Sequence, residues 1–258
     1  MSKNKKPKVG IVSLTCCEGC EFAIIDLGEK FLELGKRIDL TEFHLIEELP
    51  EKGNYDIVFV EGTPLLDEQF EFLKSIRKRA KTIVALGTCA THGGVQKMKN
   101  YHPRIVQPRF VYKKPKEVEN HKVQSVKEVV KVDYEVLGCP IDNKDFLRIV
   151  YMLLAGRNPK NIQRPVCYEC QIKSYKCLLQ EGKPCLGPAT VGGCKAVCLS
   201  GGLECYGCRG FLKETNMENI IKALKDRVPE EEIYKRMEMY GIKDVKSKIS
   251  GLKNKSKN

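Results

Sequence analysis

Four short apolar runs divide the first 140 residues: 9–14 (VGIVSL), 55–60 (YDIVFV), 82–86 (TIVAL) and 132–137 (VDYEVL). The first three are nearly continuous and rich in β-branched residues, the pattern of strands covered on both faces. A weaker run covers 38–43. Between them the apolar period lengthens to that of helices. Residues 21–34 carry Phe22, Ile25, Phe31 and Leu34, with Gly35 as a stop. Residues 67–80 begin at Asp67 and carry Phe70, Leu73 and Ile76. Residues 142–155 carry Phe146, Ile149, Val150 and Leu153 before Gly156. Alternating strands and helices predict an α/β fold with a mainly parallel sheet over residues 7–160. Residues 100–131, with Pro103, Pro108 and Pro115, read as a partly extended insertion.

Ligands in such sheets lie beyond the C-terminal strand edge. Three of the runs lead straight into cysteine. Residues 9–14 lead to Cys16, Cys17 and Cys20, 82–86 to Cys89, and 132–137 to Cys139. The run 55–60 leads to Glu61-Gly62-Thr63 on the same edge. The topology thus gathers distant thiols into a first set, Cys17, Cys20, Cys89 and Cys139. Cys16 is surplus, either a small buried neighbour or a ligand in place of Cys17; the CxxC spacing favours Cys17.

The pattern changes at Pro165. Residues 165–212 are loop-like and hold eight of the thirteen cysteines. A second set is Cys167, Cys170, Cys177 and Cys185; a third is Cys194, Cys198, Cys205 and Cys208. So little periodicity cannot build an apolar core, so bound metal is expected to hold the segment together. Residues 213–258 follow as a helical tail, with a capping box at Thr215–Glu218, a helix opened by Pro229 that carries Ile233 and Met237, and a Lys-rich end expected to be disordered.

Composition narrows the chemistry. Thirteen cysteines without an export signal at the Lys-rich start point to metal-binding thiols in a reducing cytoplasm, not to disulfides. No apolar run reaches the roughly 20 residues of a membrane span. The net charge of +12 sits largely in the termini, which reads as solvated tails and not as a nucleic-acid surface. Glycine-rich phosphate loops are missing, and the four histidines form no metal-binding pair. His92 lies near Cys89, as a loop residue or as part of a partner interface. Glu47/Glu48 and residues 230–232 read as surface charge. Four cysteines with a CxxC pair also suit structural zinc. Three such groups in series favour iron–sulfur clusters and electron transfer over zinc in a nucleic-acid-binding or scaffold protein.

An ordered set of motifs carries a family resemblance: LTCCEGC at 14–20, Glu61-Gly62, GTCA at 87–90, GCP at 138–140, CLGPAT at 185–190 and CYGCRG at 205–210. To about residue 212 the chain resembles the small, electron-transfer subunit of nickel–iron hydrogenases. It is most similar to the cytoplasmic sulfhydrogenase delta and F420-non-reducing branches. The resemblance implies a flavodoxin-like domain followed by a cluster domain, and three 4Fe-4S clusters. The proximal cluster would be held by Cys17, Cys20, Cys89 and Cys139, the distal by Cys167, Cys170, Cys177 and Cys185, and the medial by Cys194, Cys198, Cys205 and Cys208. It also implies that the nickel–iron site belongs to a large-subunit partner, with a flavoprotein or iron–sulfur subunit as acceptor. Cys167 stands where exported members typically carry His, Cys198 where they commonly have Pro, and Cys16 where they often have Glu.

Overall fold

The computed structural model describes residues 5–46, 53–102, 108, 111–119 and 121–244. Five parallel strands form one sheet: β1 (Lys8–Ser13), β2 (Asp39–Phe43), β3 (Tyr55–Glu61), β4 (Ala80–Leu86) and β5 (Tyr134–Val136), in the order β2-β1-β3-β4-β5. That is the flavodoxin-like doubly wound order, with its switch point between β1 and β3.

The continuous apolar runs follow from cover on both faces. Ile11, Ile57, Phe59, Val84 and Leu86 point to one side, against Ile24, Leu34, Phe146, Ile149 and Val150. Their alternates Val12, Val58, Val60, Ile83 and Ala85 point to the other, against Leu73, Ile76 and Val126. The first group of partners comes from α1 (Gly19–Ile25), α2 (Glu29–Gly35) and α7 (Asn143–Leu154). The second comes from α3 (Asp67–Arg79) and α6 (Val126–Val129). Period-2 alternation inside an apolar run therefore assigns each residue a layer.

Three expectations are corrected. The helix expected over 21–34 is two helices, because Gly28 adopts φ +57 and breaks it; Ile24 packs inward while Phe22 stays exposed. The strand expected over 132–137 pairs only from Tyr134. The Asp133 carboxylate accepts the Ile83 N–H (2.8 Å) and the Arg77 guanidinium (2.7 Å) and so ends the ladder. In the tail, Asn216 caps helix α10 (Met217–Lys225) through the Asn219 N–H, while the Thr215 hydroxyl donates to Ala189 O.

The insertion contributes α5 (Met98–Tyr101), a 3-10 turn at Pro115–Glu117, and α6. Glu47, Glu48 and the terminal Lys-rich run lie outside the described residues. In the tail, α10 and α11 (Glu230–Glu238) bury Ile221, Leu224, Ile233 and Met237 against Leu186 of the cysteine-rich segment. Among the described residues no helix is long and apolar enough to cross a membrane.

Phe146 is fully buried, with its ring 5.2 Å from that of Phe59. Phe146→Ala should lower the unfolding free energy by about 3–5 kcal/mol, read from chemical denaturation; a loss under about 1 kcal/mol would contradict this packing.

Candidate functional site

The first thiol set forms where the sheet's C-terminal edge opens at its switch point. Cys16 and Cys17 lie in the turn after β1, and Cys20 sits in the first turn of α1. Cys89 lies in α4 (Gly87–His92), directly after β4, and Cys139 follows β5. Glycines admit the thiols. A Cβ on Gly87 (φ +78) would stand 2.4 Å from Cys20 Sγ, and one on Gly94 (φ +59) 2.7 Å from Cys89 Sγ. The Thr88 N–H donates to Gly138 O at 2.8 Å, which fixes the Cys89 turn to the Cys139 turn.

Burial pushes the Cys89 thiol up to about 12, assisted by the charges that Cys139 and Cys17 would carry beside it. Burial and then Cys17 raise Cys139. Cys16 is pushed up to about 12 by burial and by the nearby Glu61 carboxylate. Burial and Glu61 likewise raise Cys20. Glu61 accepts the N–H groups of Cys20 (3.1 Å) and Glu21 (2.9 Å) and so caps α1 from β3, a role its Glu61-Gly62 motif alone does not announce. His92 is half-buried and lines a cavity beside Thr91 and Arg209. It packs beneath Gly210, its Nδ1 2.7 Å from Thr91 Oγ1, and burial drives it down to about 3.

The second set is equally local. Cys167 and Cys170 lie on α8 (Val166–Ile172), with Cys177 and Cys185 on the following loop. Burial raises Cys167 to about 12, and Cys185, Cys170 and Cys177 add to it. In the third set, Cys194 precedes and Cys198 lies within α9 (Val197–Ser200), and Cys205 and Cys208 follow. Burial raises Cys208 to about 12, with Cys194, Cys139 and Cys198 among its charged neighbours. Cys139, Cys194, Cys198, Cys205, Cys208 and Tyr240 line a cavity of about 490 Å³.

The sets touch in a definite order. The third adjoins the first: the Cys139 N–H points to the Cys208 thiol and the Thr88 hydroxyl donates to Cys208 O. The third also adjoins the second. The Leu186 N–H donates to Cys205 O (2.9 Å), and Gly187 packs against Cys185, Cys167 and Cys205. Glu169, between Cys167 and Cys170, accepts the N–H groups of Gly193 and Ala196 on either side of Cys194. Sequence reasoning missed Glu169; an acid inside a CxxC was its only signal. Among the described residues, which include every cysteine, no three thiols lie within 4.8 Å of one another.

Comparisons with known proteins agree with this architecture. The family described as "NADH ubiquinone oxidoreductase, 20 Kd subunit" matches residues 17–153. Sulfhydrogenase 2 subunit delta of Pyrococcus furiosus is 36% identical over 237 residues, covering 90% of this chain and 98% of that one. A subunit of the F420-non-reducing hydrogenase vhu of Methanocaldococcus jannaschii is 30% identical, covering 79% of this chain and 81% of its own. Among solved structures, a chain of an NAD+-reducing [NiFe]-hydrogenase in the H2-reduced state superposes with a TM-score of 0.54 at 27% identity, covering 60% of this chain and 95% of that one. The chain therefore belongs to the hydrogenase small-subunit family, an iron–sulfur-binding, electron-transferring group of oxidoreductase subunits.

Proposed function

We propose that this chain is the electron-transfer subunit of a cytoplasmic nickel–iron hydrogenase complex and holds three 4Fe-4S clusters. The ligands are Cys17, Cys20, Cys89 and Cys139 for the proximal cluster, Cys194, Cys198, Cys205 and Cys208 for the medial, and Cys167, Cys170, Cys177 and Cys185 for the distal. The observation that carries this reading is the spatial order of the thiol sets: the third in sequence stands between the other two. A series of this kind suits a relay. The nickel–iron site is assigned to a large-subunit partner, and a flavoprotein or iron–sulfur subunit to the acceptor end. Residues 7–160, 165–212 and 213–258 are read as the proximal-site domain, the two-cluster segment and the tail.

The thiol spacing bears on the metal. One zinc holds each sulfur at about 2.3 Å, so its ligands lie within about 4.6 Å of one another. The thiols here are spread too widely for that, among the described residues, and the glycine-lined gaps leave room for a larger inorganic core. When bound, such a cluster takes up and releases one electron at a time. The chain's own part is to supply thiolates and exclude water. Burial raises most of the thiols, so loading must displace their protons. Cys17 is favoured over Cys16 by its CxxC spacing with Cys20 and because it lies near both Cys89 and Cys139.

Iron analysis of the anaerobically purified chain should give about twelve irons, four per cubane. A content near four, or tightly bound zinc in a colourless protein, would contradict the reading. Gly87→Ala, which drives a methyl onto Cys20 Sγ, should remove about four of those irons and spare the rest. Cys17→Ser should abolish the proximal EPR signal and Cys16→Ser should retain it; the reverse pattern would move the ligand to Cys16.

A further inference from the structure

Arg209 follows the ligand Cys208, and its guanidinium is spent entirely inside the protein. The residue is 1% exposed. Its Nε donates to Gly192 O (2.9 Å), one terminal nitrogen to Leu137 O (2.6 Å) and the other to Asp145 Oδ2 (2.9 Å). Leu137 stands two residues before Cys139, and Gly192 two before Cys194. One planar cation therefore ties the backbone leading into Cys139 to both legs of the third set, at Cys194 and at Cys208. Gly193, at φ +112, makes the room: a Cβ there would lie 2.6 Å from the guanidinium.

The charge is only partly neutralised. Asp145, held in the first turn of α7, is the counter-ion, but its other oxygen accepts two bonds from Arg148, at 2.7 and 3.0 Å. Two arginines thus share one carboxylate; Arg209 and Asp145 are buried, with side chains 1% and 7% exposed, so their charges are weakly screened, while Arg148, at 35%, is open to solvent. The Arg209 cation also lies beside the chain leading into Cys194, against Gly192 and Gly193. Of its three bonds, any neutral donor could supply some, but a planar fork with a permanent charge is particular to arginine.

We propose that Arg209 is a positioning residue for electron hand-over between the first and third thiol sets: it fixes their spacing and its charge raises the reduction potential of the centre held by Cys194, Cys198, Cys205 and Cys208. The inference rests on the cluster assignment above. Reduction adds one electron to an anionic cluster, so a fixed cation alongside favours the reduced form, and net charge is one of the recognised determinants of such potentials.

The test is an EPR-monitored redox titration of the anaerobically purified holoprotein, with iron counted first. Arg209→Met should shift the third-set midpoint to lower potential, Arg209→Lys should keep it near wild type while lowering thermal stability, and Asp145→Asn should shift it higher. Were Arg209 only a structural clamp, stability would fall in both Arg209 variants with no change in potential. An unchanged midpoint in a fully loaded Arg209→Met protein overturns the proposal. If that variant does not load, Asp145→Asn decides: a rise supports the proposal, and an unchanged or lower value overturns it. A wild-type chain with no cluster on the third set overturns the cluster assignment as well, whereas a full iron count with unmoved potentials overturns this inference alone.

Discussion

The structure depends on gathering thiols into three groups, most of them at least partly buried. A thiolate in such surroundings is costly, and burial accordingly raises Cys89, Cys167 and Cys208 to about 12. Bound iron would supply the missing positive charge. The cysteine-rich segment has little else to stand on. Its own apolar cluster consists of Val166, Leu178 and Ala196 interleaved with Cys170, Cys185 and Cys205, so the thiols are themselves part of its core. Metal ligation there would be coupled to folding. The sheet domain differs, because its two apolar layers are built mainly from aliphatic and aromatic side chains, with Cys20 the one thiol of the first set among them.

The polar groups that organise the thiols are acids and basic residues, each reaching across from another element, with Glu61, Asp145 and Arg209 buried. Glu61 on β3 caps α1 at Cys20, and Glu169 on α8 caps the loop around Cys194. Asp142 and Asp145, at the start of α7, grip Lys195 and Arg209 on either side of the third set. Each bond is charge-assisted; those of Glu61 and of the Asp145–Arg209 pair are also buried, which makes them stronger than exposed equivalents, whereas Lys195 is half exposed. The tail adds an outer fastening. Lys97, 4% exposed, pairs with Asp244, and His102 with Glu238, so the tail is anchored to the sheet domain while its Tyr240 lines the third-set cavity.

Much of this was legible in the chain because strands, caps and cysteine spacing are local signals. The five strands and their order along the sequence followed from runs of β-branched residues, and cysteines fall directly after three of them. What escaped was set by partners far away in sequence. Gly28 could be read either as a helix interior or as a break, and only its left-handed backbone decides. Asp133 looked like part of a strand until its side chain took the Ile83 N–H. Arg209 sat in a recognised motif, yet its bonds to Leu137, Gly192 and Asp145 span up to 72 residues and leave no local trace. Glu21, fully buried beside Cys20 with both carboxylate oxygens lacking a hydrogen bond, is raised to about 8 by burial and Glu61, and no sequence pattern marks it.

A relay through this chain stands or falls with the order of the sites, the third set in the middle. Spin–spin interaction in the fully reduced holoprotein reads that order most directly, by comparing wild type with a Cys205→Ser variant that disables the third set. The wild-type EPR spectrum should be broadened by coupling and should resolve into two isolated signals in the variant. Undiminished coupling between the two remaining centres would contradict the arrangement.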